Sequence, residues 1–211
     1  MFANQPILAR LIWLGLAVLT VIAAILARWQ FAFVTMATLL LSLAPVVISK
    51  WADIKVPDSF VVGVVLFTGG TLFLGEVFDF YERYWWWDVA MHGSSAVALG
   101  LTGFLLIFMM FQGDRFAAPA FGVAAFSFCF AVTIGVGWEV FEFTMDQLLG
   151  LNMQKSGLDD TMSDLIVDAL GAAVGATAGY LYLHGVERGG LTGLIDEFVR
   201  RNPRFFKRWR K

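Results

Sequence analysis

The apolar residues of the chain fall into six long runs separated by short polar stretches. Each run can cross a bilayer as an α-helix, which takes roughly 17–25 residues. The predicted membrane spans are Leu11–Ala27, Phe31–Ser49, Phe60–Phe78, Asp88–Phe111, Ala117–Phe143 and Asp160–Leu183. Short segments of alternating hydrophobicity, which would build a closed barrel, are absent from the sequence. The pattern predicts an all-α integral membrane protein with six transmembrane helices in one bundle.

A different pattern follows the last span, where apolar residues recur at the spacing of a short amphipathic helix. These positions are Leu191, Leu194, Ile195, Phe198 and Val199. The chain then ends in RRNPRFFKRWRK, which interleaves basic and aromatic residues. We therefore predict a transmembrane domain over residues 1–190 and a cytoplasmic tail over residues 191–211. Because the membrane is only a few residues away, we expect the tail to bind anionic phospholipid and no nucleic acid.

The composition agrees with a membrane protein. Of the 211 residues, 59% are hydrophobic and 15% are charged, and the mean hydropathy is +0.73. A soluble domain is nearer half apolar and one quarter charged. The single Cys129 excludes an intrachain disulfide framework and a Cys-based metal motif.

The charges are distributed unevenly between the two sides of the predicted membrane. With six spans, twelve of the fifteen Lys and Arg residues fall on the side that carries both termini. Cytoplasmic loops collect basic residues, so we expect both termini to be cytoplasmic. Eleven of the seventeen acids fall on the other side, which leaves net charges of +6 inside and −8 outside. Several of the outer acids lie within the spans themselves.

Six ionisable residues of the last three spans form stripes at the three- and four-residue spacing of one helix face. They are Asp88, His92, Glu139, Glu142, Asp164 and Asp168. At about 1.5 Å per residue, His92, Glu142 and Asp164 fall one turn inside the outer boundary. Glu139 and Asp168 fall about one turn deeper. The spacing therefore predicts an outward-facing polar pocket, and the glycines that follow Asp168 on its stripe allow a neighbouring helix to approach closely.

Ionisable groups inside a membrane cost several kcal/mol unless they are paired, hydrated or bound to a metal. Only Arg83 and Lys155 are basic residues near these acids along the sequence. The carboxylates can therefore be protonated, line a wet cavity, or bind a cation. Carboxylates with one imidazole suit Mg, Mn, Fe or Zn.

The cation alternative assigns a role to each of these residues. His92, Glu142, Asp164 and Asp168 are the candidate metal ligands. Glu139 or Asp88 is the candidate catalytic general base for a metal-activated water or hydroxyl.

Three functions remain open on this basis. The first is a metal-dependent enzyme, a hydrolase or transferase, that acts on a lipid or isoprenoid-linked headgroup at the outer leaflet. The second is a cation- or proton-coupled transporter, and the third is a non-catalytic factor of the cell envelope. The sequence contains no phosphate loop, nucleotide fingerprint or nucleophilic Ser-His motif.

Two motifs carry a resemblance to known families over about residues 60–183. They are WDVAMHGSSAVALG and EVFEFTMD followed by GLDDTMSDLIVDALGAAVGATAG. The sequence resembles the YjdF-type bacterial inner membrane proteins and, more distantly, the VanZ-like proteins. The resemblance implies a multi-pass protein of a bacterial inner membrane with its site at these motifs. The chain departs from the VanZ-like pattern at Val89, Glu142 and Asp168, where the pattern has Lys, Gln and Asn, and the added acids favour a cation.

The basic asymmetry makes the topology testable. A reporter that is active only in the cytoplasm, fused to the C-terminus, should be active, and a reporter that needs export should be silent. Activity of the exported reporter would contradict the six-span orientation.

Overall fold

The structure, a computed structural model, describes residues 5–206 and is all α-helical there. Its helices are α1 (Ile7–Ile25), α2 (Trp29–Ser42), α3 (Ala44–Trp51), α4 (Asp58–Thr68), a π-helical segment (Gly69–Val77), α5 (Phe80–Arg83), α6 (Trp86–Met110), α7 (Ala120–Leu149), α8 (Leu158–Leu183) and α9 (Gly190–Arg201). Six stretches are long and apolar enough to cross a membrane, with α2–α3 and α4 plus the π-helical segment each making one. The prediction of six spans and a short C-terminal helix is confirmed.

The chain forms two compact units, Met1–Trp87 and Asp88–Lys211. In the first unit, polar side chains join α1 to α2. Trp13 Nε1 donates a hydrogen bond to Ser42 Oγ at 3.0 Å, and Thr20 Oγ1 donates one to Thr35 Oγ1 at 2.9 Å. Hydrogen bonds of this kind hold helices together in lipid, where burial of apolar surface supplies little driving force.

The second unit is built around a close contact between α6 and α8. A methyl group on Gly175 would lie 2.6 Å from the carbonyl oxygen of Val97 and 2.9 Å from Gly100 Cα. A methyl group on Gly171 would lie 2.7 Å from the carbonyl oxygen of Gly93. The two backbones therefore touch, and the glycines predicted to permit a close approach do so against α6.

The apolar face of α9 packs inside the second unit. Ile195 and Val199 are buried, and so is Phe206 beyond the end of the helix. The Phe206 ring lies 5.4 Å from that of Phe108 on α6. This face of the amphipathic helix is therefore covered by the protein's own residues. The basic positions Lys207–Lys211 of the predicted lipid-binding tail lie outside the described residues, and the division of the chain at residue 190 stays a prediction.

The glycine contact generates a stability prediction. Gly175→Ala forces a methyl group against backbone atoms of α6, and overpacking of this kind costs about 1–3 kcal/mol. Gly122→Ala on α7 is the matched control, because nothing lies within 4 Å of its Cβ position. In thermal unfolding of the detergent-solubilised protein, Gly175→Ala should lower the Tm. The control should match or exceed the parent, since Ala is the better helix former. Equal Tm values for the two variants would contradict the close contact.

Candidate metal centre

His92 on α6 is the centre of the predicted polar cluster, and three carboxylates surround its ring. Its Nε2 lies 3.8 Å from Asp88 Oδ1, one turn earlier on α6. The same nitrogen lies 4.0 Å from Asp164 Oδ2 on α8. The other ring nitrogen, Nδ1, lies 3.3 Å from Asp168 Oδ1. The close approach of α6 and α8 therefore brings four of the six predicted site residues together.

Three of these residues form a group with the dimensions of a metal site. Asp88, His92 and Asp164 each offer one ligand atom, and all three atoms lie within 4.8 Å of one another. Metal–ligand bonds of about 2.0–2.2 Å place neighbouring ligand atoms roughly 3–4 Å apart, so small side-chain rotations would close the group on one ion. Asp164 is buried, whereas Asp88 and His92 are half-buried. The structure thus groups Asp88, predicted as a general base, with the candidate ligands.

Glu139 on α7 is the deepest unpartnered acid of the cluster. Its residue is 4% exposed, and neither carboxylate oxygen has a hydrogen-bond partner within the described part of the chain. The carboxylate interacts electrostatically with His92 and with Asp168. Thr161 also faces it, but no hydrogen bond joins the two side chains. Glu139 is therefore a buried carboxyl group beside His92 and Asp168 that makes no hydrogen bond of its own within residues 5–206.

Glu142 has a different environment, although it lies one turn from Glu139. Its Oε1 accepts a hydrogen bond of 2.9 Å from Trp138 Nε1 on the same helix, and the Trp138 residue is 46% exposed. Glu142 therefore lies at the rim, outside the three-residue group, although it interacts electrostatically with Glu139 and His92. Its predicted role as a metal ligand stays a prediction.

Asp168 lies behind His92, on the side of the ring opposite Asp88. The carboxylate is buried at 3% exposure and packs against Gly135 of α7, where a methyl group would collide with Oδ2. Asp168 therefore contacts the ring nitrogen that faces away from the three-residue group. Its predicted role as a metal ligand also stays a prediction. Nothing in the sequence singled out Gly135.

Other acids of the outer cluster have local structural partners. Asp146 accepts backbone hydrogen bonds from Met153 at 2.7 Å and Gln154 at 2.9 Å, so it holds the loop after α7. Asp79, in the first unit, lies 3.7 Å from Arg83. By contrast, within residues 5–206 no Lys or Arg pairs with Asp88, Asp164 or Asp168. The only cationic partner available to these three carboxylates there is His92.

The chain is similar in sequence to another protein and to a protein family. An uncharacterized protein of Thermotoga maritima is 35% identical over 100 residues, which make up 46% of this chain and 50% of the relative. The chain therefore spans about half the length of that relative. No solved structure gives a significant match. Residues 8–185 match the family described as "Predicted membrane protein (DUF2238)". Because this match covers most of the chain and all three membrane helices of the cluster, the protein belongs to that family of membrane proteins.

Proposed function

We propose that the protein binds a divalent cation through Asp88, His92 and Asp164 and uses it to act on a lipid or isoprenoid-linked headgroup. The observation that carries the proposal is the convergence of these three ligand atoms within 4.8 Å, beside the unpartnered carboxylate of Glu139. A group of acids alone would be weak support, because acids also cluster at membrane boundaries. The burial of Asp164 and Glu139 to 3% and 4% exposure supports a bound partner instead.

A bound cation also resolves the charge imbalance of the cluster. Asp88, Asp164, Asp168 and Glu139 present four carboxylates, and His92 is neutral when its Nε2 binds an ion. A divalent ion would therefore supply two positive charges at the place where the carboxylates converge. The donor set of oxygen atoms and one imidazole nitrogen suits Mg, Mn, Fe or Zn and excludes metals that require thiolates.

The chemistry that fits this arrangement is transfer or hydrolysis at a phosphate ester. Asp88, His92 and Asp164 would hold the cation, which would supply Lewis-acid polarisation of the phosphate group. Glu139 would take the proton of a water or hydroxyl nucleophile as its oxygen forms the new bond to phosphorus. The bond to the leaving alcohol breaks, and that alcohol takes up the proton. A headgroup of the membrane is the substrate class that reaches a site between transmembrane helices.

Packing below the cluster favours an enzyme over a transporter. Over the two turns that follow Asp168 on α8, the buried residues are Gly171, Ala172, Gly175 and Ala176, and none of these four is ionisable. Tyr182, near the end of the helix, is the next buried ionisable residue. At Gly175 the α8 backbone touches α6. A transport path along this interface would need polar groups or space there, and the interface offers neither.

Two observations on the sequence support the cellular location in this proposal. Basic residues are concentrated on the side of both termini, and the site motifs resemble those of YjdF-type and VanZ-like proteins. Both support a multi-pass protein of the bacterial inner membrane whose site opens to the outer leaflet, with a role in envelope metabolism.

Metal content of the purified protein tests the site. The parent should retain about one divalent ion per chain, and Asp164→Ala should abolish this binding because it removes the most buried ligand. Asp159→Ala is the matched control, since Asp159 is an exposed acid of the first turn of the same helix. Elemental analysis after chelator treatment and reloading with Mn²⁺ or Zn²⁺ measures both variants. Equal ion content in Asp164→Ala and the parent would overturn the proposal.

The basic tail is the second proposed contact with lipid. Each Lys or Arg near an anionic leaflet contributes about 1 kcal/mol, and salt screens the attraction. In full-length protein reconstituted in nanodiscs, the tail should be protected from hydrogen exchange by phosphatidylglycerol but not by phosphatidylcholine. A variant with Lys207, Arg208, Arg210 and Lys211 changed to Gln should lose this difference. Protection that ignores lipid charge and salt would count against a lipid-binding tail.

A further inference from the structure

We propose that Asp168 is a positioning residue that fixes the tautomer and orientation of His92, and that Gly135 makes the recess that holds Asp168 in place. The proposal rests on the cation site of Asp88, His92 and Asp164. It assigns Asp168 to the support of that site and removes it from the candidate ligands.

The two ring nitrogens of His92 face different partners. Nδ1 lies 3.3 Å from Asp168 Oδ1, whereas Nε2 faces Asp88 and Asp164 at 3.8 and 4.0 Å. In the proposed arrangement Nδ1 carries the ring proton and donates it to the carboxylate of Asp168. Nε2 is then left with its lone pair directed toward the two candidate carboxylate ligands. A carboxylate behind a ligating histidine fixes the ring and raises its basicity in this way.

Asp168 is itself held from a third helix. It lies on α8, and its carboxylate fills the space left by the missing side chain of Gly135 on α7. A methyl group at Gly135 would collide with Asp168 Oδ2 and lie 3.0 Å from its Cγ. Asp168 is 3% exposed, and a methyl group at Gly135 would force its carboxylate to shift from the position in which it faces His92. Gly135 of α7 thus acts, through Asp168, on the orientation of His92, although His92 lies on α6.

The same helix provides a matched control. Gly137 lies two residues from Gly135, and nothing lies within 4 Å of its Cβ position. Gly135→Ala and Gly137→Ala therefore make the same chemical change in one helix, and only the first displaces Asp168. Loss of a partner behind a ligating residue typically costs about 10–100-fold in metal affinity. We expect this loss for Gly135→Ala and none for Gly137→Ala, measured by Zn²⁺ titration of the full-length protein.

The Nδ1 proton of His92 gives a readout that loss of packing alone would not change. The chain has two histidines, so His184→Gln leaves His92 as the single ¹⁵N-histidine signal. In the Zn²⁺-loaded protein, the ring spectrum should show the metal on Nε2 and an Nδ1 proton shifted downfield by its hydrogen bond to a carboxylate. Asp168→Ala should lose this shift together with about 10–100-fold in affinity. Asp168→Asn keeps an acceptor oxygen, so it should retain the hydrogen bond and part of the affinity.

The outcomes separate this inference from the cation site. Absence of Zn²⁺ binding by the parent overturns the cation site, and this inference with it. If the parent binds Zn²⁺ and Asp168→Ala binds it equally with an unchanged Nδ1 signal, Asp168 has no positioning role. If Asp168→Asn abolishes binding as completely as Asp168→Ala, Asp168 is a ligand. In both of these cases the inference fails while the cation site stands.

Discussion

The backbone contact between α6 and α8 is the constraint on which the cluster depends. Glycines of α8 lie against the carbonyl oxygens of Gly93 and Val97, with no side chain between the helices. Gly93 directly follows His92, so the contact at Gly171 fixes the distance between His92 and the α8 stripe. Asp168 and Asp164 lie about one and two turns before Gly171 on that stripe. A larger residue at the contact would separate the helices and lengthen every distance around the imidazole ring.

The spans and the identity of the site helices could be predicted from the sequence because both depend on local rules. Length and hydropathy decide whether a segment crosses a membrane, and the three- and four-residue spacing decides which acids share a face. The structure has six spans and joins His92 to Asp164, as this pattern predicts. The one large boundary difference is at α7, which ends at Leu149 and not at Phe143. Asp146 therefore lies inside the helix.

The finer assignments within the site could not be obtained in the same way. Depth along a helix does not give the rotation of that helix about its axis. The sequence therefore places Glu142 at the depth of His92, whereas in the structure the Glu142 side chain accepts a hydrogen bond from Trp138. The choice between ligand and support for Asp168 depends on which ring nitrogen it faces, a tertiary feature. The amphipathic pattern of α9 predicts that its apolar stripe is covered by another apolar surface, but the pattern does not say which surface. Here that partner includes Phe108 and Phe206 of the protein itself.

The side chains of Asp88, His92 and Asp164 differ in exposure, so the group has a more exposed end at Asp88 and a buried end at Asp164. The exposed fraction of the side chain falls from 24% at Asp88 to 11% at His92 and 4% at Asp164. A hydrated ion would therefore meet Asp88 first and give up its water molecules in steps as it reached Asp164. The ion would leave past the same residues in the reverse order. Exchange of the ion would then depend on these dehydration steps, so a slow exchange rate would not by itself indicate a high affinity.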